Sequence, residues 1–152
     1  MFKIFAKSPI LLAVVVMLFM YAIGETDIAL KYDFQYQEII SLAILIISIL
    51  IIAIGVYSFQ KAKTTFNPMT PEKAAKLVKT GVYKYSRNPM YFGFLAWLVA
   101  WAIFIGNPVN ILLLPLYVLL VNKLYIIPEE MALENLFKNE FREYRSKVRR
   151  WI

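Results

Sequence analysis

Four runs without a single carboxylate dictate what this chain can fold into: residues 9–24, 39–59, 90–106 and 109–127. Only the last contains a base, Lys123. Crossing hydrocarbon takes a helix of ~20 apolar residues, with ~17 tolerated. The second and fourth runs meet that length easily, and the first and third are short but usable. The chain is 61% hydrophobic, which does not suit a small soluble protein, and its 152 residues make one domain. The expected architecture is an all-α integral membrane protein, a single domain over 1–152. It has four transmembrane helices at about 8–24, 38–59, 89–106 and 108–127. The last two form a C-terminal helical hairpin, followed by a cytoplasmic amphipathic helix at about 129–148.

Charge orients these spans. Lys3 and Lys7 precede the first, and the loop after it holds Glu25, Asp27, Asp33 and Glu38 against Lys31. The segment after the second span carries seven bases, from Lys61 to Arg87, against Glu72, and the tail carries six. The positive-inside rule therefore puts both termini and the 60–88 loop in the cytoplasm, and four spans give the same parity. The net charge of +7 lies beside membrane spans, so anionic lipid headgroups explain it more simply than nucleic acid. Without cysteine or histidine there is no disulfide, no thiolate chemistry, no zinc site and no histidine general base.

Taken in order, the first span looks like a signal peptide ending at Ala22-Ile23-Gly24, but a retained span is expected. Ser41 and Ser48 should satisfy themselves on the preceding turn. Thr70-Pro71 reads as a helix start, with a brief surface helix to Lys79 closed by a left-handed Gly81. Asn107-Pro108 should start the fourth span sharply at Val109, and Pro115 should kink it. Lys123 can snorkel to headgroups. In the tail, Leu133, Leu136, Phe137, Phe141, Tyr144 and Val148 share a helical face. Glu134 with Lys138 and Glu143 with Lys147 form i,i+4 pairs.

Two motifs carry chemistry. Asn88-Pro89 marks a capped helix start, whose partial positive charge beside Arg87 makes an anion site. Glu129-Glu130 places two acids at the hydrocarbon edge, where acids are costly without a partner or a polar cavity. Brought together, the two motifs would suit a mixed-charge ligand such as S-adenosylmethionine.

Thr80-Gly81, Tyr83, Arg87-Asn88-Pro89, Tyr91 and Gly93 belong to one pattern. With Glu129-Glu130, Leu133, Phe137, Tyr144 and Val148-Arg149-Arg150, it resembles the isoprenylcysteine carboxyl methyltransferase and phospholipid N-methyltransferase superfamily, over about 64–150. The resemblance implies a membrane enzyme that uses S-adenosylmethionine to methylate a carboxylate or amine of a lipid or prenylated molecule at the cytoplasmic face. It assigns Gly81, Tyr83, Asn88, Pro89, Tyr91, Gly93, Glu129 and Glu130 to the cofactor. Arg87, Tyr144 and Arg149 go to the substrate, with Arg87, Asn88, Tyr91 and Glu130 nearest the reaction. This chain departs from many members in having Asn88 for His, Lys138 for Gly and Phe141 for Tyr. The alternatives are an NADPH-dependent membrane reductase of the steroid-reductase type, or a non-enzymatic membrane protein.

Overall fold

The computed structural model describes residues 8–26, 32–64 and 74–152. Among these, every regular element is helical. The elements are α1 (Pro9–Gly24), α2 (Gln37–Ala62), a 3-10 turn (Gly81–Lys84), α3 (Pro89–Ile105), a second 3-10 turn (Pro108–Leu112), α4 (Leu113–Val121), a π-helical turn (Asn122–Ile126) and α5 (Ile127–Lys147). Two helical runs are long and apolar enough to cross a membrane, α2 and the continuous stretch Pro108–Lys147. The apolar helices α1 and α3 are shorter, at 16 and 17 residues. Lys3, Lys7, Asp27, Lys31 and the Thr70-Pro71 helix start lie outside the described residues.

The bundle is built around α3, which packs against both α2 and α1. A Cβ on Gly93 would sit 2.5 Å from Ile52 Cγ1 and 3.1 Å from the Ser48 carbonyl oxygen, and one on Gly55 would sit 2.6 Å from Met90 Cγ. Missing side chains thus let the α2 and α3 backbones touch, the device by which helices associate in lipid. Ser41 and Ser48 donate to the Glu38 and Leu45 carbonyls at 2.9 and 2.7 Å, as expected. Met20, Leu98, Tyr117, Val121 and Ile126 form the covered core. Polar side chains also fasten α1 through its carbonyl oxygens. Trp101 Nε1 donates to Met17 at 3.0 Å, Asn110 Nδ2 to Met20 at 3.3 Å and Tyr125 Oη to Ser8 at 3.2 Å. Buried donors left unpaired in such a setting would cost ~1–3 kcal/mol each.

Several local expectations are corrected. The Asn107 side chain does accept from the Val109 amide, at 3.0 Å, but a 3-10 turn follows and the α-helix starts at Leu113. Pro115 then falls in the first α-helical turn, where a missing N–H does the least harm. The irregularity lies instead at Asn122–Ile126, immediately before Pro128. A widened turn there accommodates a proline that can neither donate nor tolerate the carbonyl four residues back. Helix therefore runs through Pro128, and the tail begins as an extension of the hairpin's second arm. It breaks at Lys138, with φ 44 and ψ −114. The expected partner of Lys138, Glu134, pairs across the break with Arg142 at 2.8 Å and Arg145 at 3.5 Å.

Residues 74–79 are not helical, contrary to the surface helix expected there. The Ala75 and Lys76 amides are taken by Thr64 Oγ1, at 2.9 and 3.3 Å. Gly81 has the left-handed φ of +64 but opens a 3-10 turn instead of closing a helix.

Candidate active site

The polypeptide enters α3 hydrogen-bonded to residues 145–150 of its tail. Asn88 stands at the cap position, but its side chain makes no cap bond. Its Nδ2 donates instead to the Arg150 carbonyl at 2.9 Å, while its amide donates to Ser86 Oγ at 3.0 Å. The Arg87 amide donates to the Arg149 carbonyl at 3.0 Å. The Arg87 guanidinium then reaches both parts of the tail. Nη1 donates to the Val148 and Arg145 carbonyls at 2.6 and 3.2 Å, and Nη2 and Nε donate to Glu130 Oε1 at 2.6 and 3.2 Å. Arg150 grips the same carboxylate, with Nη2 on Oε2 at 2.6 Å and Nε on Oε1 at 3.2 Å. Burial alone pushes the Glu130 carboxyl up, but the hydrogen bonds from Arg150 and Arg87 outweigh it and hold it below the usual carboxylate range. The anion site expected beside this helix start is filled from within the chain.

One residue earlier, Glu129 turns the other way. It lines a small cavity of about 50 Å³ between the end of α2, residues 74–78, the start of α3 and both parts of α5. Tyr91 Oη donates to its Oε2 at 3.2 Å. Burial pushes the Glu129 carboxyl up to about 7; the Tyr91 hydrogen bond opposes this and the neighbouring Glu130 adds to it. The walls are aromatic. Phe59 meets Tyr83 edge-on with ring centres 5.3 Å apart, and Phe141 meets Tyr144 at 6.5 Å. The buried Tyr144 hydroxyl donates to the Tyr83 carbonyl at 2.7 Å, which closes the tail over the 3-10 turn. Burial raises the pKa of both phenols, so they act as neutral groups.

Of the residues singled out from sequence, Tyr83, Arg87, Asn88, Tyr91, Glu129, Glu130 and Tyr144 meet around this cavity. Pro89, Gly93, Gly81 and Arg149 are not among its lining residues. Pro89 is the first residue of α3, Gly93 packs against α2, and Gly81 sets the turn. Arg149 contributes its carbonyl and leaves its side chain exposed. Sequence reasoning assigned no role in the site to Phe59, Lys76, Met90 or Phe141, which also line the cavity, nor to Arg150. Arg150 stands in the tail motif, so the signal was present, but its partner lies 20 residues away.

The family model described as phospholipid methyltransferase matches residues 36–140, which spans α2, α3 and most of α5. The chain belongs to the phospholipid methyltransferase family. It is 36% identical over 75 residues to the protein-S-isoprenylcysteine O-methyltransferase of Saccharomyces cerevisiae, covering 47% of this chain and 30% of that one. To a probable protein-S-isoprenylcysteine O-methyltransferase of Oryza sativa subsp. indica it is 28% identical over 116 residues, or 76% of this chain and 61% of that one. It is also 40% identical over 63 residues to an uncharacterized protein of Haemophilus influenzae, covering 41% of this chain and all of that one. The chain thus spans 30% and 61% of the two methyltransferases named here. No solved structure matches significantly.

Proposed function

We propose that this protein transfers a methyl group from S-adenosylmethionine to the carboxylate or amine of a lipophilic acceptor, at the cytoplasmic edge of a membrane crossed four times. The observation that carries the reading is the aromatic cavity in which Glu129 is the carboxylate left outside the arginine clasp. Its donor set fits the cofactor chemically. Glu129 offers Oε1 to an ammonium, Lys76 stands at the wall for a carboxylate, and the phenyl and phenol rings suit a sulfonium by cation–π attraction. The cavity's 50 Å³ is well below the ~300 Å³ of a typical ligand site, so binding requires its walls to part. Residues 74–78, the wall without regular structure, are the segment that yields.

When bound, S-adenosylmethionine supplies an electrophilic methyl carbon. The protein's own contribution is to hold and dry the reactants, which accounts for much of the rate of an in-line displacement. Tyr91 orients Glu129 for the cofactor's ammonium, so an amine acceptor must reach the site already deprotonated. A carboxylate acceptor needs no base. Arg87, Glu130 and Arg150 keep the tail closed as one wall. An NADPH reductase is disfavoured by the same geometry. Of the two bases that line the cavity, Arg87 is committed to Glu130, which leaves Lys76 for the cofactor's extra phosphate.

Isothermal titration in detergent with S-adenosylmethionine, its demethylated product and NADPH tests this. The first two should bind and the third should not; binding of NADPH alone, or of none, overturns the proposal. Topology is read by placing single cysteines, which the native chain lacks, near Arg149 and in the loop before α2. The tail site should label from the cytoplasmic side and the loop site from the opposite side.

A further inference from the structure

A larger hollow lies between α2 and α3 at the end away from the cavity. Leu42 and Leu45 of α2 face Trp97, Ala100 and Trp101 of α3 across a groove of about 470 Å³, with Glu38 at its mouth. Glu38 is 21 residues before Phe59, so at ~1.5 Å per residue the groove mouth is about 30 Å from the candidate active site. The helices are drawn together at Gly93 and Gly55, where a Cβ would collide with the opposite helix, and further along a groove lined by both indoles opens between them. Trp101 cannot fold inward to close the gap. Its Nε1 is fixed on the Met17 carbonyl at 3.0 Å and its ring stacks on Phe104 at 5.6 Å. The mouth opens onto a polar hollow lined by Asp33 and Gln37, which shares Glu38 and Phe104 with the groove. Among the described residues neither Asp33 nor Glu38 forms an ion pair.

An apolar slot between spanning helices is filled by what the bilayer supplies, and the Glu38 carboxylate at its mouth, with Asp33 in the adjoining hollow, selects the headgroup by charge. We propose that the groove holds one acyl chain of a bilayer lipid whose ammonium-bearing headgroup is paired by Glu38, with Asp33 beside it. This is a structural lipid site, separate from the place where a methyl acceptor would react.

The full-length protein is reconstituted into nanodiscs of equal phosphatidylethanolamine and phosphatidylglycerol, and the lipid retained on release is counted by native mass spectrometry. Wild type should retain one phosphatidylethanolamine at least fivefold over phosphatidylglycerol. Glu38→Gln should bring the preference to within twofold, and Ala100→Phe, which fills the groove, should abolish retention. Brominated acyl chains on the same lipid should quench wild-type tryptophan fluorescence, and Trp97→Phe and Trp101→Phe should each lose part of that quenching. The quenching arm needs no variant at Ala100, so it stands even if Ala100→Phe fails to fold. Equal retention of both lipids, retention that survives a folded Ala100→Phe, quenching untouched by both tryptophan substitutions, or release as a dimer with the groove closed would each overturn the proposal.

Discussion

Glu130 accepts four hydrogen bonds from two guanidiniums, whereas Glu129, its neighbour in the chain, accepts one from a phenol. Successive residues of a helix point about 100° apart, so a single turn of α5 presents one acid to the clasp and the other to the cavity. The environments then drive their chemistry apart, Glu130 held ionised and Glu129 lifted to about 7. A doublet that reads in sequence as one anionic feature is two devices. Glu130 is part of the fastening that makes the site, and Glu129 is the group the site presents.

The largest blow to that contrast is Glu130→Gln. The Arg87–Glu130 pair is 9% exposed on each side, and removing one member of a buried pair costs ~3–5 kcal/mol because the other charge is stranded. Denaturant titration in detergent should show that loss for Glu130→Gln and little or none for Glu129→Gln. Equal losses would erase the distinction.

Titration sharpens it next. Glu129's folded pKa of about 7 lies above the ordinary 4.5, so the folded state holds a proton that the unfolded chain releases. Its stabilising contribution is complete below pH 4.5 and is lost as the pH rises through 7. Wild type should lose on the order of 2 kcal/mol relative to Glu129→Gln between those limits, discounted for the partial exposure of the side chain. Binding should show the opposite trend, since an ammonium pairs only with ionised Glu129. Affinity for S-adenosylmethionine should fall as the pH drops below 7, and Glu129→Gln should weaken it about tenfold and flatten that dependence, consistent with ~1.5 kcal/mol for one charged hydrogen bond.

The smallest effect concerns the break that folds the tail over the cavity. Lys138 holds a positive φ that glycine adopts without strain. Lys138→Gly should raise the thermal midpoint by an amount equivalent to ~1 kcal/mol, without changing cofactor affinity.

Much of the bundle was legible because uncharged runs leave a chain few alternatives, and the observed helices lie close to the expected bounds. Where reading went wrong, a tertiary partner had taken a group that local rules had allotted elsewhere. Asn88 spends its side chain on Arg150, the amides of Ala75 and Lys76 go to Thr64, and Glu134 reaches past a broken turn. Pro115 misled for a related reason. A proline acts only through the turn it occupies, and the 3-10 turn before it shifts that register.

From the residues alone come the helical class, the apolar helices and the two motifs that meet at one end of the bundle, because hydrophobic length and helix-start chemistry are local properties. The division of labour between Glu129 and Glu130, the commitment of Arg87 and Arg150 to the clasp, and the groove between α2 and α3 were decided by packing. Each depends on which distant group arrives within hydrogen-bond or contact distance, and no spacing along a single chain specifies that.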